Sequence, residues 1–307
     1  MGIGKVGRRT VLGSALASAG ALAAGRLVPG ARETVFVLVH GAWNSGAAWT
    51  EVVTELESGG CRALAVDLPG AGPHARFPTS YLREGQAGLD TEVSPLRDLT
   101  VEETADAVLA VLRRIRSHGC RRIVVVAHSL GGITATRAAE KAPHLIDELV
   151  YVAALVPTRL GSAAAYLRLP EAGPRYPDLY IGDPTAIGAT RLNPRSTDER
   201  YRARLHEVFY GDVDEHRFLA YATSLVPDNP TGMATAVVAA TAQRWGAIPR
   251  TYVQTERDRV VSPALQRMMI DDADRLTPGN SFRVARIDTS HSPFASRPRE
   301  LAGLIAR

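Results

Sequence analysis

Short apolar runs alternate with longer stretches of helical periodicity along most of this chain. The runs are Thr34–Val39, Ala63–Val66, Ile123–Ala127, Leu149–Ala153, Arg250–Thr255 and Phe282–Ile287. Most are nearly all-apolar, as in strands covered on both faces, rather than alternating as in a half-solvated sheet. Val101, Ala105, Val108, Leu109, Leu112 and Ile115 recur on one face at helical spacing. Thr100 and Glu103 supply a capping box for that helix. A second helix is predicted from about Leu130 to Ala142, ending before Pro143. Pro263 and Pro298 sit where first-turn helix prolines are tolerated. Strand alternating with helix predicts an α/β fold, a mostly parallel sheet flanked by helices.

Two segments break the rhythm. Pro69 to Leu99 is rich in proline, glycine and polar residues. The longer stretch, about Thr158 to Ile248, carries scattered aromatics, prolines and helical patterns such as Glu199–Phe209. Insertions after parallel strands gather at the carboxyl edge of the sheet, where ligands bind. The second segment therefore reads as a helical cap over an active site. A separate domain is the alternative, but its core-forming residues are sparse. Its aromatics (Tyr166, Tyr176, Tyr180, Phe209, Tyr210, Phe218 and Tyr221) are expected to shape an apolar pocket, each being equally suited to packing.

The first residues change the reading of charge. Lys5, Arg8 and Arg9 precede an uncharged stretch from Val11 to Gly25 rich in Ala, Gly and Leu, the build of a signal peptide. Gly7-Arg8-Arg9-Thr10-Val11-Leu12 resembles a bacterial twin-arginine export signal, and Ala21-Leu22-Ala23 suits a signal peptidase. The expected organisation is a signal peptide over 1–23, a linker over 24–32 and one catalytic domain over 33–307. A disordered basic arm is the alternative for the leader, which has too few strongly apolar residues for a comfortable membrane span. Losing residues 1–23 takes the formal charge from +4 to +1. A mature chain that close to neutrality, with no basic stripe interleaved with aromatics, has no electrostatic case for nucleic acid.

The densest chemical signal is Ile123-Val-Val-Val-Ala-His-Ser-Leu-Gly-Gly132, in which a buried strand runs into a small-x-Ser-x-Gly turn and then a helix. That is the context of a nucleophile elbow. The turn lifts the Ser129 hydroxyl above the sheet, and residues two before and two after it must be small; here they are Ala127, where glycine is commoner, and Gly131. The Leu130 N–H, at a helix N-terminus, is placed to stabilise an oxyanion. A second such donor is expected from the loop after the first strand, Val37-Leu38-Val39-His40-Gly41-Ala42-Trp43, with Ala42 the best candidate. His40 and His128 are expected to be structural, and Trp43 and Trp49 to pack, with Trp43 also suited to contact substrate.

A nucleophilic serine needs a histidine to take its proton and a carboxylate to fix that histidine's tautomer. Of the histidines after Ser129, His206 and His216 lie in charged helical sequence within the cap. His291 stands in the loop Asp288-Thr-Ser-His-Ser-Pro-Phe294, directly after the last strand. Asp258, in the turn leaving Arg250–Thr255, is the favoured carboxylate, with Glu256 the alternative; Asp288 suits a solvent-facing role.

Together, His40-Gly41-Ala42-Trp43, Asp67-Leu68-Pro69-Gly70, Ala127-His-Ser-Leu-Gly-Gly132, Thr255-Glu-Arg-Asp258 and Ser290-His291-Ser-Pro resemble the α/β-hydrolase fold family. More narrowly they are similar to the branch of plant-type methyl esterases, hydroxynitrile lyases and actinobacterial exported hydrolases. The resemblance covers most of residues 33–305. It implies a cap inserted after the sixth strand of the family's count, and oxyanion donors at Ala42 and Leu130. Lyases of this branch carry a threonine after the first-loop histidine and a lysine after the catalytic one; here those places hold Gly41 and Ser292. The family's strand order sets Cys61 and Cys120 on opposite sides of the first strand. Two strand spacings are roughly 9.5 Å, beyond the roughly 7 Å reach of a disulfide, so two free thiols are expected.

The function expected is hydrolysis of a carboxylic ester or lactone, small and hydrophobic or a natural product, through an acyl-enzyme on Ser129. No cofactor or metal is called for. The partner expected is a small molecule, and a homodimer is left open because related methyl esterases often dimerise. A lyase or cyclase on the same scaffold is the alternative, and a triad-bearing binding protein a third.

Overall fold

The computed structural model describes Met1, residues 34–174 and residues 176–307. Apart from Met1, the expected signal peptide and linker lie outside the described residues.

Eight strands are described: β1 (Thr34–Val39), β2 (Arg62–Val66), β3 (Arg122–His128), β4 (Glu148–Val152), β5 (Ala189–Arg191), β6 (Asp228–Pro230), β7 (Arg250–Thr255) and β8 (Arg283–Ile287). Six of them form one sheet in the order β2-β1-β3-β4-β7-β8. Every neighbouring pair in it is parallel. Alternate side chains enter opposite cores, as the two-residue period of a strand requires. Phe36, Leu38, Val124, Val126, Val150 and Val152 pack on one face, with Val52 and Leu56 of the helix Thr50–Ser58 and Leu301 and Ile305 of the helix Pro298–Ile305. Val35, Val37, Ile123, Val125, Leu149 and Tyr151 pack on the other, with Val108, Leu109 and Leu112 of the helix Val101–Ser117 and Ala135 and Ala138 of the helix Gly131–Lys141. Each fully buried Val, Leu or Ile contributes about 1.5–3 kcal/mol.

The two outer strands depart from the two-sided burial expected of most of the apolar runs. β2 and β8 are edges, leaving Leu64 and Val284 exposed. Helix ends follow local chemistry. Thr100 and Glu103 cap the Val101–Ser117 helix reciprocally, and Pro263 and Pro298 open theirs. Cys61 and Cys120 stand just ahead of β2 and β3, on opposite sides of β1, and form no disulfide.

In chain order the cap segment follows the fourth of the six sheet strands; the family's count makes that place the sixth. The segment carries the helices Ala163–Leu167, Glu199–Tyr210 and Glu215–Thr223. It also carries a feature absent from the sequence reading, an antiparallel ribbon of β5 and β6. Arg191 and Asp228 lock that ribbon with a fully buried ion pair at 2.6 and 2.8 Å. Arg191 also donates to the carbonyls of Leu89 (2.5 Å) and Glu92 (2.8 Å), joining the cap to the 69–99 segment. Among the described residues no helix is long and apolar enough to cross a membrane.

Candidate active site

Strand β3 runs through buried Ala127 and His128 into Ser129, whose φ of +51° is the left-handed region that a non-glycine residue enters at a cost. The turn is held from both sides. Ser129 N–H donates to Val152 (3.2 Å), and its carbonyl accepts from Gly132 (3.1 Å) and Leu155 (3.0 Å). The glycines after it are sterically required, since a Cβ on Gly131 would stand 2.4 Å from the His40 carbonyl oxygen. One on Gly132 would stand 2.4 Å from that of Leu155. The methyl of Ala127 is accommodated within the sheet, where the residue is opposite Val39 and Tyr151.

The loop after β8 delivers His291 to this elbow. Its Nε2 is 2.9 Å from Ser129 Oγ and its Nδ1 is 2.8 Å from Asp258 Oδ2. All three side chains are buried. A carboxylate only accepts, so Nδ1 carries the proton and Nε2 is left to accept from the serine hydroxyl. Asp258 is itself fixed by four further donors. Val260 and Val261 N–H reach Oδ1 (2.7 and 2.9 Å), and Thr255 Oγ1 and Gln266 Nε2 reach Oδ2 (2.8 and 3.4 Å). Gln266 leaves one signal in the sequence, a polar residue on the buried face of the helix Pro263–Leu276, and is not among the residues expected at the site. Glu256, the alternative carboxylate, is exposed. Asp288 is exposed and paired with Arg257. His206 bonds the Val213 carbonyl within the cap, and His216 is exposed.

The other two buried histidines hold backbone. His40 donates from Nδ1 to the Gly41 carbonyl (2.9 Å) and accepts Leu68 N–H on Nε2 (3.2 Å). His128 donates from Nε2 to the carbonyl of His291 (2.9 Å), tying the elbow to the histidine loop. Burial holds both rings below the ordinary histidine value of 6.5; at His128 the neighbouring His291 adds to it. The unfolded chain takes up protons near pH 6.5 that the folded rings refuse, so folding stability is favoured by higher pH. Their contribution is complete above that pH and is lost progressively as pH falls below it. The unfolding midpoint is expected to drop from about pH 7 to about pH 5, more shallowly in His40→Gln, whose amide supplies a donor and an acceptor. An equal slope in the variant would remove His40 from this account.

A narrow cavity contains the Ser129–His291 pair and is walled by Ala42, Trp43, Asn44, Leu192, Phe209, Tyr210 and Leu225. No Lys, Arg, Asp or Glu lines it. A second cavity, about 50 Å³, shares Ala42, Trp43 and Asn44 and adds Leu130, Leu96, Leu99, Met233 and Asp228. The N–H groups of Ala42 and Leu130 donate no hydrogen bond among the described residues. Of the cap aromatics, Phe209 and Tyr210 reach the catalytic cavity. Tyr166 donates to Asp272, Phe218 stacks on His206, Tyr221 donates to Glu51, and Tyr176 and Tyr180 pack edge to face. Among the described residues no cluster of His, Cys, Asp or Glu is placed to hold a metal ion.

The sequence model of the alpha/beta hydrolase family matches residues 36–304. The chain is 27% identical over 280 residues to methylesterase 18 of Arabidopsis thaliana, covering 87% of this chain and 93% of that protein. It is 28% identical over 288 residues to methylesterase 9 of the same plant, covering 89% and 96%. Among solved structures it is similar to a pyrethroid hydrolase from Sphingobium faniae JZ-2, at 26% identity and a TM-score of 0.66, covering 89% of this chain and 96% of that one.

Proposed function

The chain belongs to the alpha/beta hydrolase family, and from that premise we propose that it is a serine-dependent carboxylic ester hydrolase acting on a small, uncharged, largely apolar ester. The observation that carries this reading is the continuous relay Ser129–His291–Asp258 at 2.9 and 2.8 Å, opening into a cavity with no charged side chain. Methylesterases and a pyrethroid hydrolase among its relatives support ester chemistry.

Ser129 Oγ attacks the ester carbonyl as its proton passes to His291 Nε2. Asp258 holds the imidazole by Nδ1 and offsets the charge that develops on it. The carbonyl oxygen, now an oxyanion, accepts from the N–H groups of Ala42 and Leu130. His291 returns its proton to the departing alkoxide, leaving an acyl ester on Ser129. Water then gives a proton to His291 and attacks that ester. Collapse releases the acid and restores the serine.

Lyase chemistry is not favoured by the space around Gly41. A Cβ there would stand 2.8 Å from Ser129 Cβ and 2.9 Å from His128 Nδ1, so the threonine of the lyase branch does not fit without displacing the elbow. The Lys5, Arg8 and Arg9 leader supports export by the twin-arginine route. One experiment tests both readings. Methyl and aryl esters of small apolar acids are incubated in ¹⁸O-labelled water with the purified protein and with fractions of bacteria expressing the full chain. One solvent oxygen in each released acid, with activity outside the cytoplasm, is expected. Unlabelled products would overturn the hydrolase reading, and activity confined to the cytoplasm the export reading.

A further inference from the structure

Trp43 stands one residue beyond the oxyanion donor Ala42, with a φ of +59°, a conformation that a bulky residue does not adopt unless it is held. Three contacts hold it, and all three come from the cap. Its indole Nε1–H donates to the Thr190 carbonyl in β5 at 2.9 Å. Its own carbonyl accepts Val226 N–H, two residues before β6, at 2.8 Å. Its ring meets Phe209 edge-on, with centroids 5.6 Å apart. On the other side, Asn44 Nδ2 donates to the Ala42 carbonyl at 3.0 Å. Thr190 in β5 and Val226 just ahead of β6 belong to the ribbon locked by Arg191 and Asp228, and the Leu192 N–H bond to Pro227 (2.8 Å) extends its pairing toward Val226.

We propose that Trp43 is a positioning residue through which the cap ribbon aims the Ala42 N–H at the developing oxyanion. The Ala42 N–H shares its peptide with the Gly41 carbonyl, which is held by His40 Nδ1 (2.9 Å) and Asn44 N–H (3.4 Å). The next two peptides are held by Asn44 Nδ2 and by Val226 N–H, so the Ala42 N–H has little freedom to turn. The cap thereby helps assemble the catalytic machinery as well as covering the substrate. The inference rests on the ester-hydrolase reading above.

The test compares wild type, Trp43→Phe and Asp228→Asn on a carboxylic ester and on its thionoester. The thionoester sulfur is a poor hydrogen-bond acceptor and draws little on the hole. Trp43→Phe keeps a ring but loses the bond to Thr190. Asp228→Asn weakens the ribbon without touching the catalytic cavity, and serves should the tryptophan variant fail to fold. Loss of a whole oxyanion donor costs about 10²–10³ in kcat, so a misaimed one is expected to cost about tenfold or more on the ester. KM should stay within about twofold, and turnover of the thionoester should hardly change, which sets this apart from a general loss of structure. Equal losses on ester and thionoester, or a raised KM at unchanged kcat, would overturn the positioning role while leaving the hydrolase intact. Absence of wild-type turnover on every ester tried would overturn both.

Discussion

Ser129→Ala is expected to lower kcat on an aryl ester about a million-fold while leaving the fold intact. The hydroxyl is the group bonded to His291 Nε2, and the attacking atom goes with it. The backbone contacts that hold the elbow, to Val152, Gly132 and Leu155, do not involve the side chain. Alanine also retains the Cβ that serine already carries at a φ of +51°. The variant should therefore unfold within a few degrees of wild type and still bind substrate or product. Initial rates, the thermal midpoint and product affinity check this together. Retention of more than about one per cent of wild-type turnover in a contaminant-free sample would mean that another group is the nucleophile.

The second large effect is expected from Asp258→Asn, about 10⁴ in kcat, and the hydrogen bonds show why. An asparagine at 258 must choose which carboxylate oxygen its NH₂ replaces. At Oδ1 it would face the backbone N–H groups of Val260 and Val261, which cannot rotate away. At Oδ2 it faces the Thr255 hydroxyl and His291 Nδ1, which can change role, and the Gln266 amide, whose contact is the longest at 3.4 Å. The NH₂ therefore turns toward His291 and donates to Nδ1. The imidazole proton is driven to Nε2, where it meets the serine hydroxyl instead of accepting from it. Geometry survives and the base is lost. Nitrogen chemical shifts of His291 should report the exchanged tautomer, and an unaltered tautomer with full activity would show that Asp258 does not orient the ring. Glu256 offers no substitute, being exposed two residues away.

Both predictions start from residues that were legible in the chain, and the reason is that their signals are local. A strand of consecutive valines running into a serine between Ala127 and Gly131 dictates a tight turn through sterics alone. The capping box at Thr100 and the prolines at 263 and 298 act within one helical turn. β1 and β7 coincide with the runs Thr34–Val39 and Arg250–Thr255, and both are buried along their whole length. The order of serine, acid and histidine along the chain nominated Asp258 and His291. Their meeting with Ser129 is a tertiary event, spanning 33 and 162 residues.

What the sequence could not determine depends on which surfaces meet. The run Ala63–Val66 resembles a covered strand, yet Leu64 is exposed because β2 has a neighbour on one side only. Phe209 and Tyr210 face the catalytic cavity while Tyr166 and Phe218 pack elsewhere, and an aromatic at helical spacing carries no mark of that difference. The ribbon of β5 and β6 is three residues on each side, too short for any periodicity. Arg191 and Asp228, 37 residues apart, close it by an ion pair that lets both charges be buried completely. Local sterics and hydrogen bonding thus set the elbow, the helix ends and the central strands. Packing between distant segments set the edges, the cavity wall and the grip of the cap on Trp43, because desolvation and pairing depend on the whole assembled chain.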